Sequence, residues 1–316
     1  MQVFLNILPM FLVIALGCGC RKVGFLPRAF IGPANKMVYY MAIPSLLFLE
    51  IARAPFGQAF QLKSVWVALA AIMVTWLFCS TVAERYYAGE GKEKTMATFI
   101  QCCVHSNVGY IGLAGAYYAL QDEGLIEAGL LSGLVILMQN IMSVLVLAYH
   151  GKRGGDELGE QPANSWWPPV ASVILNPLVL SVLAGMLYSY LGWTLPQFVF
   201  NTLKIIANMA LPLALLLIGT TLSFSPATFG LKPLLRISFY KLIFLPGIAV
   251  LALTFIGASS LTKTVAALIL GAPSATVATI MARELGGDVA FASAAISTTT
   301  FFSAFTMAFW ITLLSF

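Results

Sequence analysis

Charge is scarce in this 316-residue chain: Lys and Arg total 17, Asp and Glu 12, and together they make up nine per cent of the residues. A soluble fold of this length could not cover itself with so little polar surface. Histidine is rarer still, with two copies, and no His-Glu-x-x-His pair, phosphate-cradling glycine loop or nucleophile with a neighbouring base occurs. Nothing in the sequence argues for an enzyme. The bases fall singly across many short segments, which excludes the clustered patch that grips nucleic acid. The five cysteines, Cys18, Cys20, Cys79, Cys102 and Cys103, are odd in number, lie inside apolar stretches and lack metal-ligand spacing. Neither a disulfide framework nor a metal centre is expected from them, and no cofactor.

What is abundant is apolar: 60% of residues, with a mean hydropathy of +0.91. Lipid is the solvent this composition suits. A hydrocarbon core of roughly 30 Å takes about 20 apolar residues per helix. Runs bounded by charges, Gly and Pro predict ten spans near 4–20, 33–51, 65–83, 95–119, 125–149, 168–190, 199–222, 234–257, 263–283 and 289–315. The first run starts too near Met1 for a basic leader and is followed by Arg21 and Lys22, so it reads as a retained span. The one longer hydrophilic stretch, His150 to Trp167, falls at the centre and divides the chain into 1–149, a connecting loop 150–167, and 168–316.

Segments after odd-numbered spans hold Arg21, Lys22, Arg28, Arg85, Lys92, Lys94, Lys152, Arg153, Lys232, Arg236 and Arg283; those after even-numbered spans hold Arg53, Lys63 and Lys263. That bias puts both termini on the non-cytoplasmic side and the central loop in the cytoplasm. Lys36, Lys204 and Lys241 lie within or at the edge of spans, where snorkelling is the ordinary expectation.

The halves resemble each other. A shift of 168 superimposes Pro9 on Pro177, Gly17 on Gly185, Lys36 on Lys204, Met41 on Met209, Ala42 on Ala210, Pro44 on Pro212, Leu47 on Leu215 and Leu49 on Leu217. Five spans per repeat is an odd number, so the second copy enters the membrane from the opposite side, an inverted repeat of the kind many transporters use. Such proteins place their sites at broken helices near the midplane, where freed backbone groups face a ligand.

The fourth span carries His105, Ser106, Asn107 and Gly109 at its middle, and the ninth carries Gly271, Pro273, Ser274, Ala275 and Thr276. Proline removes an N–H and obstructs a carbonyl one turn earlier, so an unwound turn is expected from Gly271. A shift of 169 aligns Lys94-Thr95 with Lys263-Thr264 and sets Asn107 against Thr276. Two half-helix N-termini facing one spot suit an anion, most simply a carboxylate. Gln139 and Asn140, mid-way along the fifth span, complete the candidate set, with helix–helix glue as their alternative role. His105 offers a proton carrier or, equally, a fixed hydrogen bond. Small polar residues also occur in membrane helices merely to let neighbours approach, and that remains the alternative for each break taken alone.

The blocks LPMFLVIALGCGCRKVGFLP, NKMVYYMAIPSLLFLEIA, SNVGYIGLAGAYYAL, NPLVLSVLAGMLYSYLGWTLP, NMALPLALLLIGTTLSF and GAPSATVATIMARELGGDVAFASAAISTTTFFS, in this order, resemble the auxin efflux carrier family along essentially the whole chain. The resemblance implies an all-α integral membrane fold of ten helices in two inverted repeats, shared in outline with bile acid sodium symporters. Spans 1, 2, 6 and 7 would form a scaffold, with a possible homodimer through it, and spans 3–5 and 8–10 a transport domain crossing over at spans 4 and 9. The fourth-span break lacks the proline that plant members have there. Bacterial relatives imply carriage of a carboxylate across an inner membrane by alternating access; the plant substrate, indole acetic acid, is not carried over. Two alternatives stand beside this: a sodium-coupled carrier, which the concentration of acidic residues in loops disfavours, and a membrane sensor using the same fold, which would ordinarily carry an appended signalling segment.

Overall fold

A computed structural model describes residues 2–54, 62–87, 89, 91–151, 176–222 and 229–315. Residues 152–167 of the predicted central loop and 168–175 of the sixth predicted span lie outside them, while His150 and Gly151 belong to a helix. Among the described residues the secondary structure is helical throughout apart from one isolated β-bridge. Among the described residues, five stretches are long and apolar enough to cross a membrane: Lys63–Tyr86, Val108–His150, Gln197–Thr221, Leu231–Phe255 and Val289–Leu314.

The helices are α1 Gln2–Lys22, α2 Arg28–Met37, α3 Ile43–Arg53, α4 Leu62–Tyr86, α5 Glu93–Val104, α6 Leu113–Gly151, α7 Pro177–Tyr190, α8 Gln197–Ala207, α9 Ala210–Thr221, α10 Leu231–Phe239, α11 Leu245–Phe255, α12 Ser260–Leu270, α13 Val277–Glu284 and α14 Val289–Leu314. From Val108 to His150 the chain would measure about 65 Å as one straight helix, twice a bilayer core. It bends instead at Gln121, whose φ of 57° and ψ of −148° are not helical, giving the two rods expected on either side of residue 120. Gly124 makes the bend possible: a Cβ there would overlap the Leu120 side chain and the Ala116 carbonyl.

Prolines set the other irregularities. Pro44 and Pro246 cannot bond the carbonyls four residues back, Tyr40 and Leu242, and the helix widens just before each into a π-helical turn, Val38–Ala42 and Tyr240–Phe244. The Leu242 carbonyl is recovered by Trp310 of α14, whose Nε1 donates to it at 2.9 Å. Pro212 acts likewise: its missing bond would go to Asn208, where α8 gives way to α9. A third π-helical turn, Val108–Gly112, opens the rod that α6 continues.

Packing follows the small residues. Gly17 of α1 lies against the Leu216 carbonyl and Gly219 of α9, and Gly185 of α7 lies against the Phe48 carbonyl and Ile51 of α3. Such contacts let helix backbones touch where lipid offers no hydrophobic drive. Asp288 joins the start of α14 to α5: its carboxylate caps Phe291 N and accepts from Thr95 Oγ1 at 2.8 Å, while its N–H donates to Thr98 Oγ1. The periphery is apolar, as lipid requires; Phe255 is 90% exposed and Ile205 71%. All five cysteines are free, and Cys79, Cys102 and Cys103 are buried.

Candidate functional site

Two helices stop and restart inside the bundle. The rod α12 ends at Leu270, and α13 begins after Thr276. The cause is local, since Pro273 can neither donate nor accommodate the Ile269 carbonyl. The rod α5 ends at Val104, His105 has φ −83° and ψ 96°, and the π-helical turn starts after Asn107. No proline acts there. Part of its backbone is captured from outside: Gln139 Oε1 accepts from Ser106 N at 3.1 Å, and two further bonds run to the other break.

Ser106 and Ser274 form an antiparallel bridge, with Asn107 N donating to the Pro273 carbonyl at 2.7 Å and Ala275 N donating to the His105 carbonyl at 2.9 Å. Both serine hydroxyls reach across: Ser106 Oγ donates to the Leu270 carbonyl at 2.9 Å and Ser274 Oγ to the Cys102 carbonyl at 2.8 Å. In each pair, adding 168 to the first-half residue number of one bond and subtracting 168 from its second-half number gives the other. The expected register of 169, which matched Asn107 to Thr276, is therefore off by one at the breaks; the bridge matches Asn107 to Ala275.

A cavity of about 590 Å³ opens beside the bridge. Its lining includes the first residues of both restarted rods, Val108 to Tyr110 and Thr276, Val277 and Thr279. A helix start has more N–H groups than internal partners, and two such starts border the cavity, with Val108 N taken by the Ser106 carbonyl, Ala278 N by Ala275 and Thr279 N by Thr276. Across the cavity stand Asn35, Lys36 and Tyr39 of the α2 rod and its π-helical turn, with Asn140 and Asn176 at the sides. Tyr110 Oη donates to Asn35 Oδ1 at 3.2 Å. Among the described lining residues Lys36 carries the one permanent charge, and there is no Asp or Glu.

Of the residues singled out from sequence, His105, Ser106, Asn107, Gly109, Asn140, Ala275 and Thr276 line this cavity, whereas Gln139, Pro273 and Ser274 do not. Gln139 is fully buried and clamps Ser106, its Nε2 donating to Ser106 Oγ at 3.2 Å. Ser274 is also fully buried, its N–H donating to Thr299 Oγ1 at 3.1 Å. His105 Nδ1 lies 2.9 Å from Ser143 Oγ. The Asn107 carboxamide and the Thr276 hydroxyl, by contrast, have no hydrogen-bond partner among the described residues, and both face the cavity.

Lys241 corrects the snorkelling expectation. It is fully buried, its Nζ donating to Ser106 Oγ at 2.5 Å and to the Leu270 carbonyl. The sequence signal was Pro246, five residues on, which widens the helix at Lys241 and turns that side chain inward. Lys36 and Lys204 are both exposed: Lys36 borders the cavity, and Lys204 Nζ lies 5.7 Å from the Phe200 ring centroid.

A model of the membrane transport protein family matches residues 2–311. Among curated proteins the chain is 28% identical to one named "Putative malonate transporter" of Rhizobium meliloti (strain 1021), over 95% of this chain and 92% of that one. It is 24% identical to an uncharacterized transporter of Methanocaldococcus jannaschii and 24% to another of Methanothermobacter thermautotrophicus, each over 96% of both chains.

Proposed function

From its membership of the membrane transport protein family, the auxin efflux carriers, to which this integral membrane chain belongs, we propose that it moves a small organic anion, a carboxylate, by alternating access across a bacterial inner membrane. The observation that carries this reading is the cavity beside the bridge: two helix starts open onto it, Lys36 stands opposite, and its described lining holds no acidic side chain. Helix starts favour negative charge, and a volume near 590 Å³ suits a small molecule. The malonate named for the relative at 28% identity belongs to the same chemical class.

In this reading ten spans form two inverted repeats, 1–149 and 168–316. Support comes from the register of 168, which relates the two bridge bonds, the two serine bonds and the two glycine contacts. Gly17 touches Leu216 and Gly219; Gly185 touches Phe48 and Ile51, each number differing by 168 from its counterpart. Spans 1, 2, 6 and 7, which share those glycine contacts, are the scaffold, and the remaining six carry the bridge as one moving body. Both termini face away from the cytoplasm.

Counterflow tests the reading. Proteoliposomes loaded with unlabelled malonate should accumulate labelled malonate transiently, without sodium. Protein that binds malonate yet gives no counterflow would make this a receptor instead of a carrier. For orientation, a cysteine placed in the 150–167 loop should resist impermeant thiol reagents in intact cells, and ready labelling would reverse the topology.

A further inference from the structure

A fully buried ammonium normally needs a carboxylate, because desolvating a charge is costly. Lys241 has none pairing with it among the described residues; its partners are a hydroxyl and a helix-terminal carbonyl. The α12 C-terminus supplies the negative end of a helix dipole, which compensates part of one charge. The hydroxyl is that of Ser106, which lines the cavity. It already donates to Leu270 and accepts from Gln139 and Lys241, so it has no proton left for a ligand. The uncompensated part of the ammonium's charge therefore lies one hydroxyl away from the cavity.

The bridge itself does not require that charge. On the opposite side Ser274 makes the equivalent bond to Cys102, and the position that corresponds to Lys241 in the register of 168 is Met73. A bridge that holds on the Ser274 side through a hydroxyl-to-carbonyl bond and Thr299, with no ammonium bonded to it, does not use one on the other side merely as a pin.

Resting on the carrier reading above, we propose that Lys241 is the built-in counter-cation of the site. It is a positioning residue that never touches substrate, and its charge, acting through Ser106, makes the cavity favour doubly over singly charged carboxylates. At an effective dielectric near 20, a charge roughly 7 Å away changes affinity on the order of 10- to 100-fold for each charge on the ligand.

The test compares malonate with malonamate, the same acid with one carboxylate amidated, binding to purified protein at neutral pH. Lys241→Gln keeps a donor for Leu270, and Lys241→Met keeps only the stem. In either folded variant the preference for malonate over malonamate should fall about tenfold, whereas Lys241→Arg should preserve it. An unchanged preference, or equal losses for both acids, overturns the proposal, since a structural role would not sense ligand charge. Failure of both neutral variants to fold while Lys241→Arg folds would also overturn it, making the ammonium an architectural pin. Wild-type protein that binds neither acid fails the carrier reading itself; wild-type that binds both, with a preference indifferent to Lys241→Gln, fails this proposal alone.

Discussion

Asn107→Ala is expected to weaken malonate binding by about 10- to 100-fold, and Thr276→Val by a comparable factor, while thermal unfolding midpoints stay at the parent value. Hydrogen bonds to a charged partner contribute about 1.5–3 kcal/mol, and each substitution removes one potential donor from the cavity. The fold should not register the loss, because neither side chain bonds another described residue. Ser274→Ala is the contrasting case: it deletes the bond to the Cys102 carbonyl in a fully buried setting, so it should lower stability by about 1–3 kcal/mol. Calorimetric titration with malonate and thermal unfolding of the same detergent-solubilised samples separate the two behaviours. Parent-like affinity in both Asn107→Ala and Thr276→Val would remove the cavity wall from substrate binding.

Much of this architecture is written in local chemistry. Pro273 announces the second break because proline cannot complete a helical turn, and Pro44 and Pro212 mark irregularities at Tyr40 and Asn208 for the same reason. The break at Asn107 was visible only as a cluster of polar residues. What opens it is tertiary: Gln139, thirty-odd residues on, and the carbonyl of Pro273 take the N–H groups that a helix would otherwise use. The one-residue error in register has a similar origin. Sequence identity at Lys94-Thr95 and Lys263-Thr264 favours 169, but a two-fold bridge is set by backbone hydrogen bonds, to which side-chain identity is indifferent.

Lys241 and Gln139 carry weaker local signals. A lysine near the end of an apolar run ordinarily snorkels, and two adjacent carboxamides do not tell which of them faces inward. Only the rotation produced by the π-helical turn before Pro246 separates a buried lysine from a surface one. On α6 the neighbours part company: Gln139 is fully buried behind the bridge while Asn140 meets the cavity. Asn35, Tyr39 and Asn176, elsewhere in the cavity wall, carry no local signal, because their chemistry lies in the convergence of two separate rods.

The other large effect belongs to the contact between α1 and α9. A Cβ on Gly219 would overlap the Ile14 carbonyl and come within 2.7 Å of Cys18 N and 2.9 Å of the Gly17 Cα, all of them backbone atoms that no side-chain rotation can move aside. Gly219→Val should therefore yield no folded protein. Gly219→Ala should force the two helices apart and cost about 1–3 kcal/mol or more, the range for overpacked interiors. Gly19, two residues from Gly17 on the same helix, has nothing within 4 Å of its would-be Cβ, so Gly19→Ala should be neutral or slightly stabilising, since alanine is the better helix former. Gly185→Ala should fall between them, because its closest neighbour is the Ile51 side chain at 3.0 Å, with the Phe48 carbonyl at 3.2 Å. Size-exclusion profiles and thermal unfolding of the four variants give the order. If Gly219→Ala is as stable as Gly19→Ala, the backbone contact does not hold the two helices together, and the matching contacts at Gly17 and Gly185 lose their value as support for a shared scaffold.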